Sequence, residues 1–373
     1  MSIQKVSTSV IDDNAVTGPK IAMGSDASGD IVYYDGTDYV RLPKGTDGDT
    51  LTVVNGLPSW GSGSGNGDAS SSDWGTGQFQ GTQFGFCTHG NHPQVNNIQK
   101  YSYTSDINAV NVADLTYSCQ ASSGGRSQDY GYAAGGEMQG QPNTDIIDKY
   151  SFTSGQNSEA IPGTLTVPRA MWGGQGASSG LAVYWHGGHD DPNWKVIDKV
   201  VTSSDGNATS VGDLHSGRYG VAGASSNTHG YAMGGCQHNA NFHNLIERYA
   251  FASDGNSVDT NRDLYEAVNL PFASNSTTHI YVSGGMLTAQ SAYSENVTKF
   301  AIDSSSNAAD IGNLSIGASG NGAGTSSTTH GYCHGGWPSY RKLIEKINFS
   351  TDGNATGVGD LDHGVSNSSG SQH

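Results

Sequence analysis

His229-Gly230-Tyr231-Ala232-Met233-Gly234-Gly235 reads as a short strand carrying a buried-type aromatic and ending in a glycine pair. The pattern returns as His279-Ile280-Tyr281-Val282-Ser283-Gly284-Gly285 and as His330-Gly331-Tyr332-Cys333-His334-Gly335-Gly336. Further copies are Gly131-Tyr132-Ala133-Ala134-Gly135-Gly136, Val183-Tyr184-Trp185-His186-Gly187-Gly188 and a worn first one, Gly85-Phe86-Cys87-Thr88-His89-Gly90. The second glycine position falls at 90, 136, 188, 235, 285 and 336, a spacing near fifty residues. A fixed period of that size marks a solenoid or a propeller.

Outward from each glycine pair lies a second marker, such as Ile147-Asp148-Lys149-Tyr150, Ile246-Glu247-Arg248-Tyr249 and Ile344-Glu345-Lys346-Ile347. A third is a turn such as Ser204-Asp205-Gly206-Asn207-Ala208-Thr209 running into Val211-Gly212-Asp213-Leu214. Each repeat thus supplies four strands: a small-residue strand a, strand b with the glycine pair, strand c with Ile-acid-Lys-Tyr, and strand d ending in Leu. Alternate residues of a strand point to opposite faces, so Ile246 and Tyr249 require both faces of strand c to be covered. A blade wedged between two neighbours meets that requirement. The final stretch, Gly364-Val365-Ser366-Asn367-Ser368-Ser369-Gly370-Ser371-Gln372-His373, matches a strand a, which the first repeat lacks. It is therefore expected to complete blade one and remove the open edge of the ring.

Composition agrees. The 373 residues include 54 Gly, 18 Tyr and 6 Trp, with 34% hydrophobic and 14% charged, which suits short strands joined by Gly-rich turns. A net charge of −17 with only 17 Lys and Arg argues against nucleic acid and against anionic membrane surfaces. No apolar run reaches transmembrane length. Met1-Ser2-Ile3-Gln4-Lys5 lacks the apolar stretch of a secretory signal, so an extracellular role would need another route, such as release inside a virus particle. Cys87, Cys119, Cys236 and Cys333 are too sparse for a disulfide framework and read as free thiols.

The aromatic followed by Gly-Gly resembles kelch repeats over about three quarters of the chain, although the Ile-acid-Lys-Tyr segment departs from ordinary kelch sequences. The expected fold class is an all-β six-bladed kelch-like β-propeller over 82–373, with a small N-terminal β module at 1–60 and a Gly/Ser-rich linker at 61–81. In the module, Asp30-Ile31-Val32-Tyr33-Tyr34-Asp35-Gly36 through Val40-Arg41-Leu42 reads as a hairpin around Asp-Gly, and Thr50-Leu51-Thr52-Val53-Val54-Asn55-Gly56-Leu57-Pro58-Ser59-Trp60 as one around Asn-Gly. Such a module is too small for a core of its own, which suggests oligomerisation or docking. These segments, with Ile11-Asp12-Asp13-Asn14-Ala15-Val16-Thr17-Gly18-Pro19-Lys20-Ile21, look like the N-terminal part of bacteriophage tail-fibre and virion-fibre proteins. That resemblance implies a virion location, contact with other virion proteins through the module, and a homotrimer.

With antiparallel strands, the b–c and d–a connections leave one face of the ring and the a–b and c–d turns the other. The c–d turns are uniform and read as structural, whereas the b–c loops vary. Aromatics beside amides and carboxylates suit sugars, because rings cover apolar sugar faces while polar groups meet hydroxyls. His189, Asp190, Trp194, Phe242, Tyr293, Trp337, Tyr340 and Arg341 are the candidate binding residues. The competing reading is that these loops cover the ring or meet another subunit. His229, His279 and His330 share one repeat position but read as turn histidines bonded to backbone rather than metal ligands. No metal or cofactor is expected. The strand-c lysines are expected to pair with an acid of the next blade, and the Asp before each terminal Leu reads as a turn residue.

No nucleophile elbow, phosphate loop or HExxH occurs, so the chain does not read as an enzyme. The expected function is a phage fibre or tail protein whose propeller binds a host-surface polysaccharide or protein, without membrane insertion. The alternatives are a head, neck or tail decoration without a receptor, and a polysaccharide depolymerase.

Overall fold

The structure, a computed structural model, describes residues 27–45, 49–54, 56–62, 79–91, 93–189, 195–237, 241–288, 292–316 and 319–373. It divides into two units, 1–69 and 70–373. In the first, Ile31–Tyr34 pairs with Tyr39–Leu42, and Asp49–Val54 with Leu57–Ser62. The first turn forms because Asp35 Oδ1 accepts the N–H groups of Thr37 and Asp38, an Asx arrangement that leaves Gly36 at a φ of 101°. The stretch 11–21 and most of the expected linker lie outside the described residues.

The second unit contains six four-stranded antiparallel sheets, each in the order a-b-c-d. Blade two is Ser123–Arg126, Tyr130–Ala134, Ile146–Ser151 and Glu159–Thr164. Blade three is Ala177–Ser178, Ala182–His186, Val196–Val201 and Thr209–Asp213. Blade four is Ala222–Ser225, His229–Met233, Leu245–Ala250 and Val258–Asp263. Blade five is Phe272–Asn275, His279–Ser283, Asn296–Ala301 and Ala309–Asn313. Blade six is Ser319–Ser326, His330–Trp337, Leu343–Asn348 and Thr356–Asp360. Blade one closes the ring as expected: Ser369–Gln372 supplies strand a beside Phe84–Thr88, Val95–Ser102 and Val110–Cys119, with Gly370 opposite Cys87.

The core is a set of clusters between blades. Ile246 packs with Tyr231, Ile280 and Phe300, while Tyr249, on the opposite face of the same strand, packs with Tyr184, Ala232 and Phe251. The glycine pairs have a backbone cause. In blades two to six the first glycine has φ of 62–69° and the second 94–137°, conformations that glycine enters without steric cost. In blade one His89 takes the first place and adopts the same left-handed φ, 56°. All four cysteines are free and buried.

The blades are clasped at both faces. On the c–d side, each turn asparagine accepts the backbone N–H at the end of strand d in the preceding blade. The pairs are Asn157 with Asp114, Asn207 with Thr164, Asn256 with Asp213, Asn307 with Asp263, Asn354 with Asn313, and Asn108 with Asp360, at 2.9–3.2 Å. The N–H of the following residue donates back to the carbonyl of the same partner. The Asp before the terminal Leu is thus a strand-d residue gripped through its backbone, not a turn residue. The strand-c lysines add Lys149–Asp205, Lys199–Asp254 (3.0 Å), Lys299–Asp352 and Lys346–Asp106 (2.8 Å), each reaching the c–d turn of the next blade. Where that turn carries Gly155 instead of Asp, Lys100 lies over the Phe84 ring, 3.6 Å from its centre. The strand-c acids point to the other side and hold the d–a connections. Asp198 meets Arg169 at 2.7 Å and Glu247 meets Arg218, all four side chains being fully buried. Each arginine is also held by backbone carbonyls, those of Gly187 and Gly234 respectively, as a buried charge requires.

The axis is filled. Gly174 C=O accepts the Gly370 N–H at 2.9 Å, and a Cβ on Gly174 would meet Gly322 O, across the ring in blade six, at 2.3 Å. At the a–b side, Phe79, Gln80 and Gly81 are buried. Gln80 Nε2 donates to Ser327 O and Asn275 O, and Arg126 Nη1 donates to Gln80 O. Residues 79–81, ahead of the expected start at 82, are thus packed into the propeller. The expected linker runs too far because Phe79-Gln80-Gly81 belongs to no repeat and is ordered only by the ring around it. Gln80 thereby bridges the inner strands of blades five, six and two at the face that carries the a–b turns.

Candidate functional site

The opposite face carries the b–c loops. In blade six, Trp337 and Tyr340 come together, and Arg341 follows them in the same loop. The Trp337 and Tyr340 rings meet edge to face with centroids 4.9 Å apart, and Arg341 Nη1 donates to Ile316 O at 3.0 Å. Burial lowers the Arg341 pKa from its usual value. Ser339 and Tyr340 both have positive φ, 76° and 47°, which turns the loop back sharply.

The other candidates stand one per blade. Phe242 is half-buried in a small hairpin opposite Cys236, and Tyr293 in another opposite Met286. His189 is exposed and packs edge-on against Tyr219, with centroids 5.0 Å apart. Asp190 and Trp194 lie outside the described residues. The described candidates thus share a face, and among them Trp337 and Tyr340 form a cluster.

The same face holds a cleft of about 340 Å³ between blades one and two, lined by Asn91, Pro93, Gln94, Gln120, Glu137, Gln139 and Gly140. Its walls are built by a short backbone exchange. Gln120 N–H donates to Glu137 O at 3.0 Å, and Glu137 N–H donates to Gln120 O at 2.8 Å. Gln120 Nε2 then donates to Glu137 Oε2 at 3.2 Å, while Gln94 Oε1 accepts the Gln139 N–H at 2.7 Å and Gln94 Nε2 donates to Glu137 O at 3.1 Å. The sequence signal for this cleft was the amide content of the loops. The aromatics on the same face are the stronger sugar signal, and Gln120 lies in a d–a connection rather than a b–c loop.

A second cavity, about 370 Å³, lies at the rim of the other face beside Tyr130, Lys149, Glu159 and Asp205. Its lysine and aspartate are already committed: Lys149 pairs with Asp205 and lies over the Tyr130 ring at 4.2 Å, and Tyr132 donates to Asp205 at 3.1 Å. It has less to offer a ligand than the amide cleft.

The repeated histidines behave as local structure. His229, His279 and His330 each bond through Nδ1 to the hydroxyl of the preceding threonine at 2.8 Å, rather than to backbone as expected. Among the described residues, no group of three or more His, Cys, Asp or Glu is placed to hold a metal ion. No described helix is long and apolar enough to cross a membrane.

No family model and no curated protein matches this chain. Among solved structures, one described as "Structure of YjhT" superposes with a TM-score of 0.56 at 11% identity, covering 68% of this chain and 88% of that one. At that identity the likeness shows the fold, and with the six sheets above it establishes an all-β, six-bladed kelch-like propeller.

Proposed function

We propose that this protein is a virion fibre or tail component of a bacteriophage, and that its propeller binds a host-surface glycan through the b–c face. The observation that carries the binding half is the division of labour between faces. The a–b and c–d side is consumed by the sixfold Asn clasp, the Lys–Asp pairs and the incoming segment 79–81. The b–c side carries loops of unlike sequence, an aromatic cluster at Trp337 and Tyr340, and a polar cleft. Variable loops on a rigid frame are where recognition is built. The virion half rests on the sequence resemblance of the N-terminal segments. Supporting a docking role, Tyr34 and Tyr39 stand 57% and 65% exposed as a cross-strand pair on the first hairpin.

The test is a glycan array probed with the full-length protein, beside adsorption of the protein to candidate host cells. Binding to a restricted set of glycans supports the reading. Cell binding without glycan binding would shift the receptor to a protein. Release of sugar fragments would favour a depolymerase, and no binding of either kind a decoration role.

A further inference from the structure

We infer that the cleft between blades one and two is a binding site for an uncharged, hydroxyl-rich sugar, with Gln94, Gln120 and Glu137 as its principal polar contacts. This rests on the glycan-binding reading above and gives it a place and a ligand class.

Position around the ring sets this cleft apart. Several blades share the same short exchange between the d–a connection and the residue following the glycine pair. It joins Ala170 with His189, Tyr219 with Cys236, Asn269 with Met286, and Gln120 with Glu137. In blades three to five at least one partner offers an apolar or aromatic side chain. In blade two both partners are polar. The neighbouring blade-one exchange, Asn91 with Ser366, is polar too. Asn367 joins the two, because its Nδ2 donates to Gln120 Oε1 at 2.9 Å. Polar side chains therefore occupy two adjacent exchanges, on either side of the blade that the terminal strand completes.

The chemistry of the lining suits a sugar. A primary amide has two N–H donors and an oxygen with two lone pairs, so Gln94 and Gln120, each using one of each internally, keep one donor and one acceptor for a pair of vicinal hydroxyls. Four such amides and one carboxylate line the cleft, and Pro93 adds an apolar surface for a ring face. No lysine or arginine lines it, so an anionic sugar such as a sialic or uronic acid would meet Glu137 without a compensating charge. The volume lies within the range of about 300–1,000 Å³ for small-molecule clefts, at its lower end, which suits one or two pyranose rings. The internal bonds among Gln94, Gln120 and Glu137 pre-set the side chains, which lowers the ordering cost on binding.

The experiment is saturation-transfer NMR and calorimetric titration on the full-length protein. The probes are neutral galactose- and glucose-containing tetrasaccharides, with sialyl-lactose and an oligouronate beside them. Wild type is expected to bind neutral probes over acidic ones. Gln94→Ala combined with Glu137→Ala is expected to weaken that binding at least tenfold, while Tyr130→Ala, at the rim of the opposite face, changes it less than twofold. Gln139→Ala, at an exposed position, is the second variant should the double substitution fail to fold, and is expected to weaken binding about threefold. Glycan binding that survives both cleft variants but is lost in Trp337→Ala overturns the cleft assignment and leaves the glycan-binding reading standing. A preference for acidic sugars overturns the ligand class. No sugar binding by wild type overturns both.

Discussion

Acidification from pH 8 to pH 5 is expected to remove about 6 kcal/mol of folding stability through three histidines. His89, His186 and His334 lie at the ends of strands b in blades one, three and six, 1%, 5% and 1% exposed. Each has one ring nitrogen engaged, with Ser122 Oγ at 2.9 Å, Tyr249 Oη at 3.2 Å and Tyr101 Oη at 3.0 Å respectively. At His186 and His334 the opposite Nε2 is buried without a hydrogen-bond partner, so a proton there would be stranded, while at His89 a backbone bond to Tyr117 offsets the burial only in part. Burial lowers each pKa to about 3, with Arg218 and Arg169 adding to the effect at His186. In the unfolded chain the same groups titrate near 6.5. Between those values the unfolded state binds more protons, so stability is full above about pH 6.5 and falls as pH drops. One pKa unit is about 1.4 kcal/mol, so at pH 5 each histidine has lost about 2 kcal/mol. Three such losses approach the whole stability of an ordinary domain, about 5–15 kcal/mol. Burial raises the Asp148 carboxyl, which works the other way and softens the slope at lower pH. Urea unfolding at several pH values gives the slope, and histidine ring-proton NMR shows which groups titrate. His334→Asn is expected to reduce the slope between pH 6 and 5 by about one third. Stability that stays flat from pH 8 to pH 5, or ring protons of these three residues titrating near 6.5, would refute the reasoning.

Other consequences are open to measurement. Asn207→Ala removes the acceptor for the Thr164 N–H and should cost about 1 kcal/mol in denaturant unfolding, while Lys199→Met, at a partly exposed pair, should cost less. Arg218→Met strands Glu247 in the interior and should cost about 3–5 kcal/mol at neutral pH by the same assay. Gly324→Ala would bring a Cβ to 1.9 Å from Ala273 O between two inner strands, and overpacking there should lower stability by about 1–3 kcal/mol or more. Deleting residues 369–373 removes strand a of blade one; Cys87, whose thiol burial pushes up to about 12, should change from inert to reactive toward a thiol reagent.

Much of the ring could be read from the chain because it repeats. A glycine pair every fifty residues reports two successive left-handed positions, and a strand such as Leu245–Ala250, apolar on both parities, reports a neighbour on each side. Ring closure was legible because Ser369–Gln372 copies a strand that blade one lacks. The turn asparagines were legible as turn formers but not as clasps. Their partners lie 41–44 residues away in five cases and 252 in the sixth, and only the closed ring brings them together. Phe79-Gln80-Gly81 carries no periodic signal, because its order comes from the carbonyls of Asn275 and Ser327. The candidate site was read by its aromatics, which found the Trp337–Tyr340 cluster. The amide cleft combines loops of two blades with Gln120 from a third connection, a juxtaposition set by ring geometry rather than by spacing along the chain.

The central claim is that the b–c face is the binding face. The most direct measurement is an experimental structure of the full-length protein with a bound glycan identified on the array. The account predicts sugar density on the b–c face, in contact with Gln94, Gln120 or Glu137. Density confined to the face of the Asn clasps, beside Tyr130 and Asp205, would contradict it.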